Sequence, residues 1–181
     1  TEDDTALARD GVEVLHGRGR LRAPGEVVVD GRRLRAPRIV VATGARPVVP
    51  DVPGLDASGV LTSDTVFDMD RLPARLVVIG GGSISCELAQ AFARLGAAVT
   101  VIEVRPRLLP EEDPEVSDAI ADAFAVDGID VRAGVAVIGA ERVDGRSWRL
   151  RLAGGDVVEG DAVRAAARRV AATKRPRPLD G

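Results

Sequence analysis

Several residue types that enzymes and small folds depend on are scarce in this sequence. Its 181 residues include one cysteine, one histidine and no tyrosine. The single cysteine, Cys86, excludes an intrachain disulfide, a CxxC redox pair and a thiolate zinc site. We predict no metal site, and we interpret His16 as a loop residue.

The sequence also lacks the segments that direct a protein into a membrane. It has no run of about 18 uncharged apolar residues, and its first residues are acidic where a signal peptide needs a basic region. We therefore expect a cytoplasmic protein with no membrane partner. Hydrophobic residues form 45% of the chain and charged residues 29%, which is typical of a globular domain and argues against disorder.

Charge is distributed unevenly along the chain. Residues 1–160 carry 19 arginines and 26 acidic residues, a net charge of −7, whereas residues 161–181 have a net charge of +4. No basic face with interleaved aromatic residues precedes that tail, so we expect no nucleic-acid partner. Because Pro176 and Pro178 cannot continue a helix, we expect 161–181 to be an atypical basic tail that is disordered, or helical only as far as Ala172.

The first part of the chain predicts short strands. Val12–Val14 and the β-branched run Glu26–Asp30 are followed by Arg32–Ala36, and Asp30-Gly31 supplies a tight hairpin turn between the last two. Arg38–Ala42 is a continuous apolar run that predicts a strand buried on both faces. Prolines then mark an extended connector, and we place a domain boundary near Leu72-Pro73.

From residue 75 onward, strand and helix patterns alternate. The order strand, helix, strand, helix, strand predicts a βαβαβ unit with parallel strands, in an α/β fold of the Rossmann type. Turn residues after residue 135 predict an antiparallel β-meander as far as residue 159. The elements of the βαβαβ unit are expected at residues 76–79, 83–95, 98–103, 114–127 and 129–131.

A glycine-rich turn joins the first strand and helix of this unit. Gly80 to Ser85 matches G-x-G-x-x-G with serine in the third place, and Glu103 ends the next strand 23 residues after Gly80. Gly80 permits the turn, and Gly82 lets the backbone approach a pyrophosphate at the helix amino end. Glu103 can bind a ribose diol and would repel a 2′-phosphate, which favours NAD over NADP.

Other interpretations of these residues stay open at the level of sequence. The glycines also suit a purely structural turn, with Glu103 as a solvated strand end. Arg105 and Arg107 are either solvated loop residues or a phosphate site that would accept NADP. Glu87 is either a helix-start residue or a functional carboxylate. Cys86 is a small packing residue, since no base accompanies it.

Two motifs together carry a family resemblance. Val77–Ala89, with its three glycines, and the upstream segment Ala42–Pro47 resemble the pyridine nucleotide-disulfide oxidoreductase family. Glu87–Gly96 and Glu112–Pro114 most resemble the branch of mercuric reductase and dihydrolipoamide dehydrogenase. The resemblance covers about residues 10–160.

The resemblance implies an FAD domain interrupted by an NAD(P) domain. It implies that residues 1–72 are part of the FAD domain with its connector, and that residues 73–160 are the NAD(P)-binding Rossmann domain. It also implies a homodimer for the complete enzyme. Thr43 and Gly44 would lie near FAD, and Glu87 would reach toward the nicotinamide. The implied NAD site consists of Gly80, Gly81, Gly82, Ser83, Ile84, Glu87 and Glu103.

Departures from the family pattern suggest an internal fragment. The chain lacks the first FAD-phosphate glycine motif, the CxxxxC redox pair, the lysine that pairs with the glutamate, and the downstream flavin and dimerisation regions. We expect the NAD(P)H-binding portion of an FAD-dependent oxidoreductase, inactive by itself. The alternative is a non-catalytic nucleotide-binding or interaction module. Self-contained dehydrogenases are poor alternatives. Short-chain types need a Tyr/Lys pair, and the chain has no tyrosine; hydroxy-acid types need a histidine in the substrate region, whereas His16 lies far upstream.

Overall fold

The computed structural model describes residues 4–143, 145, 147–165 and 168–171. The chain divides into two compact units. Of the described residues, 4–44 and 171 belong to the first unit, and those from 45 to 170 belong to the second. The expectation of a tail beyond residue 171 lies outside the described residues.

The first unit is a short helix followed by a three-stranded antiparallel sheet in the order β1-β2-β3. The predicted hairpin turn is confirmed, because Asp30 and Gly31 have φ angles of 45° and 89° between two paired strands. The elements are α1 (Asp4–Arg9), β1 (Gly19–Ala23), β2 (Glu26–Val29) and β3 (Arg32–Arg35).

Two predicted strands of the first unit are wrong. Val12–Val14 and Arg38–Ala42 have no regular secondary structure. Val40 is 88% exposed, although its run looks like a strand buried on both faces. Such a run needs a partner strand on each side. In the described part of the chain no strand pairs with it.

The second unit opens with the proline-rich connector and then alternates strands and helices. The connector contains β4 (Ala45–Val48) and two 3-10 turns, Ala57–Gly59 and Val66–Asp68. The elements that follow are β5 (Arg75–Ile79), α2 (Ser83–Arg94), β6 (Ala98–Glu103), α3 (Pro114–Val126), β7 (Asp130–Ala133), β8 (Val137–Val143), β9 (Ser147–Leu152), β10 (Val157–Gly160), β11 (Ala162–Ala165) and β12 (Arg168–Ala171).

A four-stranded parallel sheet in the order β11-β5-β6-β7 confirms the predicted Rossmann-type α/β fold. The antiparallel meander β8-β9-β10 connects β7 to β11. Both helices begin where their sequences predict. Gly82 precedes α2 in extended backbone, while Asp113 precedes α3 and Pro114 occupies its first turn.

The end of this sheet corrects the helix predicted for Asp161–Ala172. Residues 162–165 instead form β11, which pairs in parallel with β5. The Asp161 carboxylate accepts hydrogen bonds from the backbone N–H groups of Ala74 (2.9 Å) and Arg75 (2.6 Å). This contact fixes the strand at the sheet edge, so tertiary pairing overrides the helix propensity of an alanine-rich run.

The connector packs onto the sheets of its own unit. The Leu61 N–H donates to the Val163 carbonyl at 2.8 Å, and the Ala165 N–H donates to the Leu61 carbonyl at 3.0 Å. The boundary expected near Leu72-Pro73 therefore falls inside the second unit, whose contacts begin at residue 45.

The parallel sheet has a hydrophobic core on each face. Helices cover one face, where the buried residues include Leu76, Val78 and Phe124. The meander covers the other, where the buried residues include Val77, Ile102 and Trp148. Among the described residues, every helix is too short or too polar to cross a lipid bilayer. Both faces of the sheet are covered by other elements. A ligand site is therefore expected at the carboxyl ends of the strands, where the loops lie.

Candidate functional site

The glycine-rich turn lies at the carboxyl ends of the two central strands. Gly80 has a φ angle of 102°, which favours glycine, and its N–H donates to the Ile102 carbonyl at 2.8 Å. The chain can therefore leave β5, turn sharply and enter α2 at Ser83. The turn and the end of β6 are thus brought side by side.

Glu103 points into the crevice beside this turn and is held there. Its carboxylate accepts the Gly81 N–H at 2.5 Å and the Arg105 N–H at 2.8 Å, one at each oxygen. The side chain is 7% exposed. Because a carboxylate oxygen can accept two hydrogen bonds, each oxygen keeps an acceptor position for a hydroxyl group.

Gly81 and Gly82 have different surroundings. A Cβ at Gly81 would lie 2.8 Å from Cδ2 of Leu108 and 3.1 Å from Cβ of Glu103. A Cβ at Gly82 would meet nothing within 4 Å. The lack of a side chain at Gly81 therefore lets Leu108 and Glu103 pack closely against the turn, whereas Gly82 borders open space in front of α2.

The amino end of α2 is open to a ligand. Gly82 offers no side chain to cap the helix, and Gly82, Ser83 and Ile84 are exposed. The first N–H groups of a helix have no partner within the helix and carry its positive dipole end. This end therefore suits an anion such as a pyrophosphate.

A cavity of about 330 Å³ adjoins Gly80 and Glu103. Its walls are largely apolar, and the charged side chains among its lining residues are the carboxylates Asp51 and Glu103. Such a cavity suits a flat apolar ring joined to a sugar. Two segments that the sequence pattern did not single out complete the cavity: residues 50–52 of the connector, and residues 135–137, which lead into β8.

The two arginines after Glu103 are engaged with the loop that carries them. Arg107 donates to the carbonyls of Glu112 (2.8 Å) and Pro110 (3.3 Å). Arg105 lies 3.9 Å from the Glu111 carboxylate and is largely exposed. The geometry therefore favours their interpretation as loop residues over that of a phosphate site.

Glu87 and Cys86 lie on another side of α2. Together with Gln90 and Phe124 they line a smaller cavity of about 160 Å³ between α2 and α3, and Glu87 is exposed. Burial raises the pKa of the Cys86 thiol to about 11, and the charges of Glu103 and Glu87 add to that effect. A thiol in this state is a poor nucleophile at neutral pH.

A residue that the sequence pattern assigned to the tail lies against the first turn of α2. Arg164 on β11 is fully buried, and its Nη1 donates to Oγ of Ser85 at 2.5 Å. Ser85, the serine in the third place of the glycine motif, is itself 2% exposed. The parallel pairing of β11 with β5 brings the two together, and an alanine-rich tail gives no local signal of it.

Thr43 and Gly44 lie at the end of the first unit in backbone without regular structure, and both are exposed. Gly44 has a φ angle of 75°. Because both residues are exposed, the described residues do not by themselves enclose an FAD molecule at this position. The other site residues all belong to the second unit.

Comparison with known proteins relates these features to a family. A family model described as "Pyridine nucleotide-disulphide oxidoreductase" matches residues 2–175. The chain is 41% identical over 159 residues to a glutathione reductase of Burkholderia cepacia, and 40% identical over 124 residues to a mercuric reductase of Bacillus cereus. These matches cover 88% and 68% of the chain but 35% and 20% of the relatives, so it spans about a third of their length or less.

The comparison with solved structures also finds proteins that are similar to this chain. The HOCl-induced flavoprotein disulfide reductase RclA from Escherichia coli matches with 29% identity and a TM-score of 0.73, over 90% of this chain and 37% of that one. LpdA from Mycobacterium tuberculosis matches with 29% identity and a TM-score of 0.75, over 92% of this chain and 39% of that one.

Proposed function

Because the chain belongs to the pyridine nucleotide-disulphide oxidoreductase family, we propose that its second unit binds NAD(P)H at the amino end of α2. One observation carries the proposal. Glu103 is buried in the crevice beside an uncapped helix end, with its two oxygens fixed by backbone N–H groups. This arrangement offers a sugar acceptor and an anion site next to each other.

Each part of the site has a separate task in binding. The N–H groups at Ser83 and Ile84 hold the pyrophosphate, and Gly82 leaves room for it. Glu103 accepts hydroxyl groups of the adenosine ribose, and the 330 Å³ cavity receives the adenine ring. Two carboxylates in this cavity disfavour a 2′-phosphate, so we propose NADH as the preferred ligand over NADPH.

In the complete protein this unit serves hydride transfer. NAD(P)H bound here would supply a hydride to a flavin, and the role of this chain would be to bind and orient the dinucleotide. We propose that Thr43 and Gly44 adjoin FAD once the rest of the protein is present, and that Glu87 reaches toward the nicotinamide. We also propose an electron acceptor beyond the flavin and a homodimeric state for the complete protein.

Calorimetry with the 181-residue chain tests the proposed binding site. We expect Glu103→Gln to weaken NADH binding by roughly tenfold, because the amide removes an acceptor and sets an N–H group against a backbone N–H. NADPH binding should weaken less, since the repulsion of its 2′-phosphate is also reduced. Glu115→Gln, which removes an exposed carboxylate from α3, is the matched control and should change neither.

Two results would contradict this proposal. The first is a wild-type chain that binds neither dinucleotide at millimolar concentration. The second is a Glu103→Gln chain that remains folded by circular dichroism and binds NADH as tightly as the wild type. A non-catalytic nucleotide-binding module would also bind NADH, so turnover by the complete protein distinguishes the two functions.

A further inference from the structure

Among the residues that the structure describes, no carboxylate is paired with the guanidinium of Arg164. The residue is fully buried in β11, its Nη1 donates to Ser85, and its Nε and Nη2 have no hydrogen-bond partner in the described part of the chain. Burial lowers the pKa of its guanidinium, and the nearby Cys86 thiol opposes that shift. Arginine nevertheless stays charged in proteins at neutral pH.

An uncompensated buried cation is unfavourable for folding. Removing a charge from water is unfavourable unless a counter-charge or a full set of hydrogen bonds replaces the water. Ser85 supplies one neutral acceptor, and the Cys86 thiol is protonated at neutral pH because its pKa is raised to about 11. Some other negative charge would therefore gain from lying near this guanidinium.

The position of Arg164 indicates where that negative charge would lie. Arg164 is paired with Val78, one residue before the end of β5. Its guanidinium contacts Ser85, the third residue of the twelve-residue helix α2. The buried cation thus lies behind the same helix turn whose uncapped N–H groups face the open space at Gly82. The guanidinium and the amino end of the α2 dipole are both positive. Both would therefore attract an anion in front of the first turn of α2.

We propose that Arg164 is a positioning residue for a diphosphate: through Ser85 it supports the first turn of α2, and its buried charge attracts the pyrophosphate of the bound dinucleotide. The inference rests on the proposed function. Attraction through the protein interior is weakly screened by salt, so a cation can act on an anion that it does not touch. The free chain bears the cost of the buried charge, and the ligand offsets it.

Two substitutions of Arg164 separate its charge from its hydrogen bond. Arg164→Met removes both and fills a similar space, whereas Arg164→Gln keeps an N–H donor without the charge. Arg149→Met is the matched control. It removes the same charge from the antiparallel sheet, where Arg149 pairs with Glu141 and Glu159 in solvent.

The 181-residue chain is titrated calorimetrically with NADH, inorganic pyrophosphate and adenosine, and its melting temperature is measured. We expect both Arg164 variants to bind NADH and pyrophosphate about five- to twentyfold more weakly, and adenosine as before. We expect Arg164→Met to raise the melting temperature by a few degrees, because an apolar side chain replaces an unpaired buried charge. Arg149→Met should leave all three affinities within about twofold.

The outcomes distinguish this inference from the proposed function. A wild-type chain that does not bind NADH would overturn both. NADH binding that is unchanged in the two Arg164 variants would overturn only the role of Arg164. A loss of adenosine binding equal to the loss of NADH binding would also overturn it, because a structural defect would then explain the result. Arg164→Gln keeps the test decisive if Arg164→Met fails to fold.

Discussion

Gly81 and Gly82 are adjacent in the sequence, yet close packing within the protein requires glycine only at position 81. The space at Gly81 is filled by Leu108 and Glu103, and the space at Gly82 is open. Gly82 also has a φ angle of −75°, which any residue can adopt. Stability and ligand binding should therefore respond differently at the two positions.

We predict that Gly82→Ala leaves the melting temperature within about 2 °C of the wild type, since the added methyl group meets nothing. NADH binding should fall by about tenfold or more, because that methyl group takes up space proposed for the pyrophosphate. Thermal melting and calorimetry of the same samples check both parts.

Gly81→Ala is the companion variant. Its Cβ would lie 2.8 Å from a Leu108 carbon, so we expect a loss of about 1–3 kcal/mol in the free energy of unfolding. The account is contradicted if Gly82→Ala binds NADH normally, or if Gly82→Ala destabilises the chain more than Gly81→Ala does.

At the residue scale, the sequence predicts that Glu103 and the glycines form one site, because their spacing is typical of a strand-turn-helix unit followed by a second strand. It did not reveal that Glu103 accepts the Gly81 N–H, since that contact forms only when β5 and β6 pair. Arg164 was missed for a related reason. Its contact with Ser85 spans 79 positions of sequence, and nothing near Arg164 in the sequence encodes it.

Helices α2 and α3 are joined by polar contacts at their carboxyl ends. The Asp127 carboxylate accepts hydrogen bonds from Nε2 of Gln90 (2.7 Å) and from Nε of Arg94 (3.2 Å). The Gln90 hydrogen bond is the larger cause of a lowered pKa at Asp127, and Arg94 adds to it. A lowered pKa contributes stability that is present above the pKa of the unfolded chain and is lost as the pH falls through the native value.

We predict that Asp127 titrates below its ordinary pKa in carboxyl-detected NMR of the native chain. Gln90→Ala should raise that pKa toward the ordinary value, and Arg94→Ala should raise it less, in the order of the two causes. Asp118, an exposed carboxylate of α3, serves as the reference resonance. A larger shift on Arg94→Ala would contradict this assignment.

At the element scale, hydrophobic periodicity predicted β5, α2, β6, α3 and β7 because each buries a continuous face against one sheet. The same reasoning failed at β11. An alanine- and arginine-rich segment favours a helix locally, but the free edge of β5 and the Asp161 contacts make it a strand. The prediction for Arg38–Ala42 was wrong in the opposite sense, since a strand was expected and none forms. An apolar run becomes a strand only where partner strands exist.

At the scale of the whole molecule, all residues of the proposed dinucleotide site belong to the second unit. We predict that a shortened chain of residues 45–171 folds and binds NADH within about twofold of the full chain, because it keeps the site and both cores. Calorimetry on the two chains side by side checks this. Loss of NADH binding by a folded 45–171 chain would show that the first unit contributes to the site.

The overall division of the chain was harder to predict than its individual elements. Prolines favoured a boundary near residue 72, because they usually mark an extended link between domains. Here the link pairs with β11 through the backbone of Leu61, and the side chains of Val60 and Leu55 belong to the core that the meander covers. Only the assembled fold shows which unit a proline-rich segment packs against.

A crystal structure of the 181-residue chain with NADH tests the central claim most directly. The account predicts density for the pyrophosphate within hydrogen-bond distance of the Ser83 and Ile84 N–H groups, and a ribose hydroxyl on the Glu103 carboxylate. Density for the dinucleotide at another site, or a pyrophosphate at α2 with Glu103 turned away from the ribose, would contradict it.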